Sequence, residues 1–398
     1  MKWGKVKVGD CCEVTSSKRI FFSEYVDSGV PFYRSKEIIE SSNGQAISEP
    51  LFISQEKYDE IKNHFGVPQS GDMLLTSVGT IGVPYIVRKK DYFYFKDGNL
   101  TWFRNFSDEL DSKYLYFWVK SSEGQSVLNN TTIGSSQKAL TIASLKGLEI
   151  PCPPAPVQKR IVEFLAGYDD LIENNQKQIK LLEEAAQRLY KEWFVDLRFP
   201  GHETTPIVDG VPEGWSVESM DDIAEYINGY AFKPSDWGTS GKPIIKIKEM
   251  GLGITSDTPR NSGENIPEKY NITAGDILFS WSATLSAMIW DEEDGLLNQH
   301  LFKVIPCDGV SREFVLQSIL KTLDEFSNLT TGSTMKHIQR GKLKEVHVNV
   351  PNERTMRKYK SISEPIREQL LNLKREIILL QEARNRLLPK LMSGEIEV

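Results

Sequence analysis

The sequence predicts an α+β chain. Two mixed, strand-rich domains are joined by a long antiparallel two-helix coiled coil, and the whole is an internal two-fold repeat. Three observations carry this. Lys177 to Leu189 (KQIKLLEEAAQRL) and Arg375 to Leu387 (REIILLQEARNRL) match at a constant offset of 198 residues. Both segments sit in apolar stripes spaced alternately four and three apart, as in paired helices. The remaining stretches hold short β-branched runs broken by Gly, Pro and Asn, which read as strands and turns.

Bulk properties bound the answer. The chain has 398 residues, enough for two or three domains, and its 39% hydrophobic content can form real cores. No apolar run follows the opening MKWGKVKV, so no secretory signal is expected. The longest charge-free apolar stretch, Ile277 to Trp290, falls short of the roughly 20 residues of a membrane helix. The four cysteines, Cys11, Cys12, Cys152 and Cys307, form no Cys-x-x-Cys pair, which predicts a reduced, cytoplasmic protein without a zinc site. Net charge is −7, but it is uneven. Residues 1–150 carry 18 basic and 18 acidic side chains, whereas residues 200–350 carry 13 and 22. Charge alone therefore neither requires nor excludes a nucleic-acid partner.

In chain order, residues 1–152 form a first globular region and 153–199 a central helical region. Residues 200–350 form a second globular region, and 351–398 a C-terminal helical region. In the first, Ser112 to Lys120 reads as a helix, and Ile86-Val87 and Leu148 to Ile150 as strands. The central seam comprises Ile161, Leu165, Tyr168, Ile172, Asn175, Ile179, Leu182, Ala186, Leu189 and Trp193. Asn175 would set register at some cost in stability. In the second region, Ser311 to Lys321 reads as a helix and Val346 to Val350 as a strand. The second seam comprises Tyr359, Ser363, Ile366, Leu370, Leu373, Ile377, Leu380, Arg384, Leu387 and Leu391. Two such stripes bury each other within one chain; the alternative is a coiled coil between chains. Gly167 and Pro365 are expected to break the helices, and Pro389, opposite Lys191, to shorten the second.

The repeat extends upstream. Asn99 to Arg104 (NLTWFR) sits opposite Asn298 to Lys303 (NQHLFK). Gly71 to Leu74 sits opposite Gly275 to Leu278, and Pro31 to Ile38 (PFYRSKEI) opposite Pro243 to Met250 (PIIKIKEM).

Motifs for chemistry are missing. Neither a glycine-rich S-adenosylmethionine loop nor an Asn/Asp-Pro-Pro-Tyr/Phe turn is present, and Glu60-Ile61-Lys62 is a poor nuclease fragment. What recurs are polar constellations suited to reading. Gly134, Ser135, Ser136 and Lys138 pair with Gly332, Ser333, Thr334, Lys336 and His337. Glycine admits close backbone approach, hydroxyls bond phosphate oxygens, and lysine neutralises charge. The alternative is a hairpin shaped only by its glycine. Tyr33, Arg34 and Lys36 pair with Lys246 and Lys248, cations that can bond guanine edges or phosphates, or else form the polar face of a strand. Ser77 and Thr80 pair with Trp281 and Ser282, with buried strand ends as the alternative. Tyr230 and Lys233 form an aromatic–basic edge, unless the ring is core.

Pro153 to Trp193, with its lead-in PPAPVQKRIVEFL and helix DDLIENNQKQIKLLEEAAQRLYKEWF, resembles the central region of type I restriction–modification specificity subunits. LLNLKREIILLQEARNRLLPKLMSGEIEV resembles their second helical region. The resemblance covers the whole chain in layout: target-recognition domain, helix, target-recognition domain, helix. It implies a non-catalytic subunit that binds double-stranded DNA, each domain reading half of a split site while the helices set the gap. It implies partners too: two methyltransferase subunits, using S-adenosylmethionine to methylate adenine, and restriction/translocase subunits, using ATP and magnesium. No cofactor is expected on this chain, and no membrane. The alternatives are a type IIB-like system and a coiled-coil scaffold that does not touch DNA.

Overall fold

The computed structural model describes residues 3–45, 47–133, 138–329 and 338–397. The chain forms two compact units, Met1–Gln176 with Glu376–Val398, and Lys177–Arg375. Each contains one strand-rich domain and one end of both long helices, Ala155–Tyr190 and Glu353–Ser393. No helix among the described residues is long and apolar enough to cross a membrane.

In the first unit, a four-stranded antiparallel sheet runs in the order 13–15, 100–104, 73–76, 84–86. Its inner strand, Met73 to Thr76, is buried on both faces, as its unbroken apolar run requires. A second sheet orders strands 25–26, 51–53, 30–33 and 94–95, with Phe32 opposite Tyr94 in parallel. Lys5–Lys7 pairs with Glu149–Pro151 and closes the domain.

The second unit repeats this plan. Strands 224–228, 301–306, 277–280 and 286–289 form the matching antiparallel sheet. Strands 260–261, 242–245 and 295–297 match 51–53, 30–33 and 94–95, with Ile244 opposite Leu296 in parallel. Ser216–Ser219 pairs with His347–Val350. The apolar run Ile277 to Trp290 contains a hairpin, Ile277–Ser280 with Ser286–Ile289.

The register corrects one alignment. Leu74 faces Trp102 and Leu278 faces Lys303, so Lys303 corresponds to Trp102, two residues before Arg104. The two residues also do equivalent work. Asp72 accepts hydrogen bonds from the Gln69 amide at 2.9 Å and Trp102 Nε1 at 2.8 Å. Asp276 accepts from the Thr273 amide at 2.8 Å and forms an ion pair with Lys303 Nζ at 2.8 Å. Gly71 and Gly275 precede these aspartates at φ of 96° and 100°, the left-handed region where a Cβ is strained.

The helices run opposite ways in both units. In the first, Ile161, Val162 and Leu165 share one core with Leu388, Leu391 and Met392, and with Tyr114 and Trp118 of the domain. In the second, Trp193 and Phe194 pack with Met356 and Tyr359 and with Phe314. The seam meets within the chain. The expected breaks do not occur: both helices continue through Gly167 and Pro365. Glycine costs about 1 kcal/mol and proline about 3 kcal/mol in a helix interior. Each buried seam side chain returns about 1.5–3 kcal/mol, so the seam outweighs both. Gly167 and Pro365 face solvent, where a freed carbonyl can be hydrated. Nor is the second helix shorter. It has 41 residues against 36, and Pro389 lies within it. The first helix ends in a π-helical turn, Lys191–Val195, in which the neighbours Trp193 and Phe194 both become buried. Asn175 is buried with its amide nitrogen unpaired.

Equivalent helix positions meet their domains with opposite charge. Asp169 faces Lys120 at 3.8 Å, and Arg367, 198 residues later, faces Glu313 at 2.5 Å. The first pair is part-exposed and contributes at most about 1 kcal/mol. In the second, only 9% of the Glu313 side chain and 21% of Arg367 are exposed. Their contact is electrostatic, without the alignment of a hydrogen bond. Removing one member strands a buried charge. Arg367→Met should therefore lower the unfolding free energy by about 3–5 kcal/mol. Arg367→Met with Glu313→Gln should recover most of the loss, and Lys120→Met should cost at most about 1 kcal/mol. Urea unfolding of the three variants checks this, and equal losses in the single and double Arg367 variants would refute it.

Candidate nucleic-acid interface

Three of the polar segments singled out in the first domain are linked by a short chain of hydrogen bonds, two of them through one carbonyl. Asn99 O accepts the Ser77 amide at 2.8 Å and Ser35 Oγ at 3.4 Å. Ser77 O in turn accepts the Leu140 amide at 2.9 Å. The Tyr33–Lys36 turn, the loop after strand 73–76 and the segment after Lys138 are thus neighbours. Ile133 and Ala139 exchange backbone hydrogen bonds of 2.9 and 3.0 Å. Lys138, beside Ala139, is exposed. Gly134, Ser135 and Ser136 lie outside the described residues, as do Gly332, Ser333, Thr334, Lys336 and His337. The second domain has a matching bond: the Ile338 amide donates to Trp281 O at 2.9 Å.

The strand–turn–helix motif is also shared. Helices Ser35–Ser42 and Ile247–Leu252 each start after a cation, Arg34 or Lys246. The backbone N–H of that cation donates to the carboxylate three residues on, Glu37 at 2.6 Å and Glu249 at 3.1 Å. Both glutamates are buried. The Arg34 side chain turns back on Glu37, with Nη2 to Oε1 at 2.5 Å. The Glu37 carboxylate beside it holds the guanidinium pKa above its ordinary value. Lys246 Nζ instead lies 5.2 Å from the Trp237 ring centre. Lys36 is exposed with Glu49 at 2.9 Å, and Lys248 is exposed. Tyr33 stacks on Phe93 at 4.3 Å, and burial raises its hydroxyl pKa.

Other candidates face inward. Ser77 and Ser282 are 2% and 4% exposed, which favours the buried-strand-end alternative. Ser77 Oγ is 2.7 Å from Thr101 Oγ1. Thr80, in contrast, is exposed. Trp281 lies against His300 and Phe302 at 5.9 and 5.8 Å. Tyr230 packs edge-on to Phe232 and Tyr270 at 4.9 and 5.5 Å, whereas Lys233 is exposed. Cys12, pushed up to about 12 by burial, stays a thiol at neutral pH.

Sequence reasoning passed over Arg19, Phe21, Phe22 and Lys96, which line a cleft of about 610 Å³ with Arg34. A signal was available. Phe21 to Tyr25 (FFSEY) and Lys233 to Trp237 (KPSDW) share Ser, an acid and an aromatic at an offset of 212, the offset of PFYRSKEI and PIIKIKEM.

Comparison with known proteins agrees with this geometry. Residues 1–184 and 212–378 match the family model for the type I restriction modification DNA specificity domain. The chain is 26% identical over 436 aligned residues to the type I restriction enzyme MjaIX specificity subunit of Methanocaldococcus jannaschii, covering 100% of this chain and 94% of the relative. It is 22% identical to the MjaVIII specificity subunit of the same organism, covering 100% and 93%. The crystal structure of the S subunit of a type I restriction–modification system from M. genitalium superposes with a TM-score of 0.57 at 16% identity, covering 98% of this chain and 96% of that one. At that identity the likeness concerns the fold.

Lys138 offers a direct test of phosphate contact. Lys138→Ala should weaken DNA binding equally across sequences and reduce the salt-dependence slope by about one, with thermal stability unchanged. Fluorescence anisotropy across a salt series measures this; an unchanged slope would show that Lys138 meets no phosphate.

Proposed function

We propose that this chain, which belongs to the family of type I restriction–modification DNA specificity domains, reads a split DNA site, one half through each strand-rich domain. It is the sequence-specificity subunit of a type I system. The observation that supports a split reading is the repeat: one strand plan used twice, with diverging exposed side chains. A framework kept constant under changed surface chemistry suits two modules that bind one kind of ligand in two versions.

The chain supplies recognition, and chemistry falls to its partners. Two methyltransferase subunits dock on the helical regions, bring S-adenosylmethionine and methylate adenine. Restriction/translocase subunits use ATP and magnesium. The long helices set the distance between half-sites. The first has 36 residues, about 54 Å at 1.5 Å each. Neighbouring major-groove half-sites lie about 34–36 Å apart.

Methylome sequencing of host cells carrying the chain with its methyltransferase is the decisive experiment, and a split adenine-methylated motif is expected. Replacing residues 200–350 with the matching domain of a relative should then change one half of that motif; a change in both halves would reject modular reading.

Spacing has its own test. Adding four residues after Asn175 and four after Leu373 lengthens each helix by about 6 Å, or one to two base pairs of rise. The methylated motif should gain that spacer with both halves unchanged. An active, folded variant on the original spacer would show that the helices are not the ruler.

A further inference from the structure

We propose that the turns Phe21–Tyr25 and Lys233–Trp237 are the elements that make the two domains read different half-sites, with Phe21 and Phe22 contacting bases in one and Lys233 contacting DNA in the other. The proposal rests on the DNA-reading assignment above and names the residues that diversify it.

The turns are the same device. Phe22–Glu24 and Pro234–Asp236 are single 3-10 turns. The Phe21 amide donates to Glu24 Oε2 at 2.7 Å, and the Lys233 amide to Asp236 Oδ2 at 2.7 Å. The residues that follow pair alike: Val26 and Pro31 both face Phe52, as Gly238 and Pro243 both face Arg260. The carboxylate cap thus fixes both turns identically on the sheet. What stands on them differs. Phe21 and Phe22 are 61% and 86% exposed, where the second domain exposes Lys233 and Pro234.

One exposed ring is tied to the core through a neighbour. Phe22 meets Tyr25 edge-on at 5.6 Å, and Tyr25 meets Phe32 in the core at 5.3 Å. Adjacent exposed aromatic rings beside a cleft form an apolar patch of the kind that marks a contact surface. Its surroundings suit DNA. The cleft beside it is lined by three cations, Arg19, which pairs with Asp97 at 2.8 Å, Arg34, which pairs with Glu37, and Lys96. Aromatic faces stack on bases or meet thymine methyls, so they read bases with apolar area. Lysine at the matching position bonds a guanine edge or a phosphate instead. One backbone turn can therefore carry two recognition chemistries.

The test uses the full chain with its methyltransferase subunits. Labelled duplexes carry either the motif found by methylome sequencing or a scrambled sequence, and anisotropy gives both affinities. Phe22→Ala should weaken the motif duplex about tenfold and leave the scrambled duplex within about twofold. Phe22→Leu, which keeps apolar area without a ring, should fall between. Grafting Phe21→Lys with Phe22→Pro should alter the methylated half-site read by the first domain and no other. The Glu24 cap is retained, so unchanged thermal melting verifies folding. If wild type prefers its motif while Phe22→Ala and the graft keep its affinity and motif, the turn proposal fails alone. Should Phe22→Ala release the methyltransferase without changing DNA preference, the surface is a protein interface and the proposal fails. If wild type shows no preference for any duplex, the DNA-reading assignment fails and the turn proposal with it.

Discussion

Two apolar stripes on two long helices have to leave water, and much of this molecule follows from how they do so. In the first unit, Ile161 and Leu165 join Leu391 and Met392 in the core that also holds Tyr114 and Trp118. In the second, Trp193 and Phe194 join Tyr359 and Phe314. Neither domain closes its main core without the start of one helix and the end of the other. Antiparallel pairing is thereby imposed twice, once in each unit. Burial on this scale explains why Gly167 and Pro365 are carried inside continuous helices: their local cost is a few kcal/mol against a seam of many side chains.

With the framework held in this way, chemistry can change where geometry does not. Asp72 takes a hydrogen bond from an indole and Asp276 an ion pair from an ammonium, from sister strands at the same register. Asp169 meets Lys120 where Arg367 meets Glu313. The capped turns before strands 30–33 and 242–245 carry Phe21 and Phe22 in one domain and Lys233 and Pro234 in the other. Each substitution keeps a backbone position while altering charge or apolar area. A protein that reads sequence through interchangeable modules needs this separation, because a recognition surface that also held the core could not vary freely.

Much of the fold was legible because it rests on local periodicity. The helix expected at Ser112 to Lys120 forms over those residues, and that at Ser311 to Lys321 begins one residue later. The strand at Val346 to Val350 forms over His347–Val350. The site was less legible. Ser77 and Ser282 are buried, whereas Thr80 is exposed, and nothing local separates them. Tyr230 joined a ring cluster with Phe232 and Tyr270. The turn at Phe21 went unnoticed because two adjacent phenylalanines ordinarily signal core.

The sequence by itself determined the repeat, the two helices, the approximate strands and the family, since these depend on spacing along the chain. Tertiary structure alone decided the two-residue register shift that places Lys303 opposite Leu278. It alone joined Ser35 and Ser77 at Asn99 and Leu140 to Ser77, and left Phe22 in solvent rather than in the core. Pairing between distant strands sets which face of a residue is covered, and a one-residue change of register reverses that face. Exposure, and with it the capacity to touch DNA, is a property of the assembled sheets.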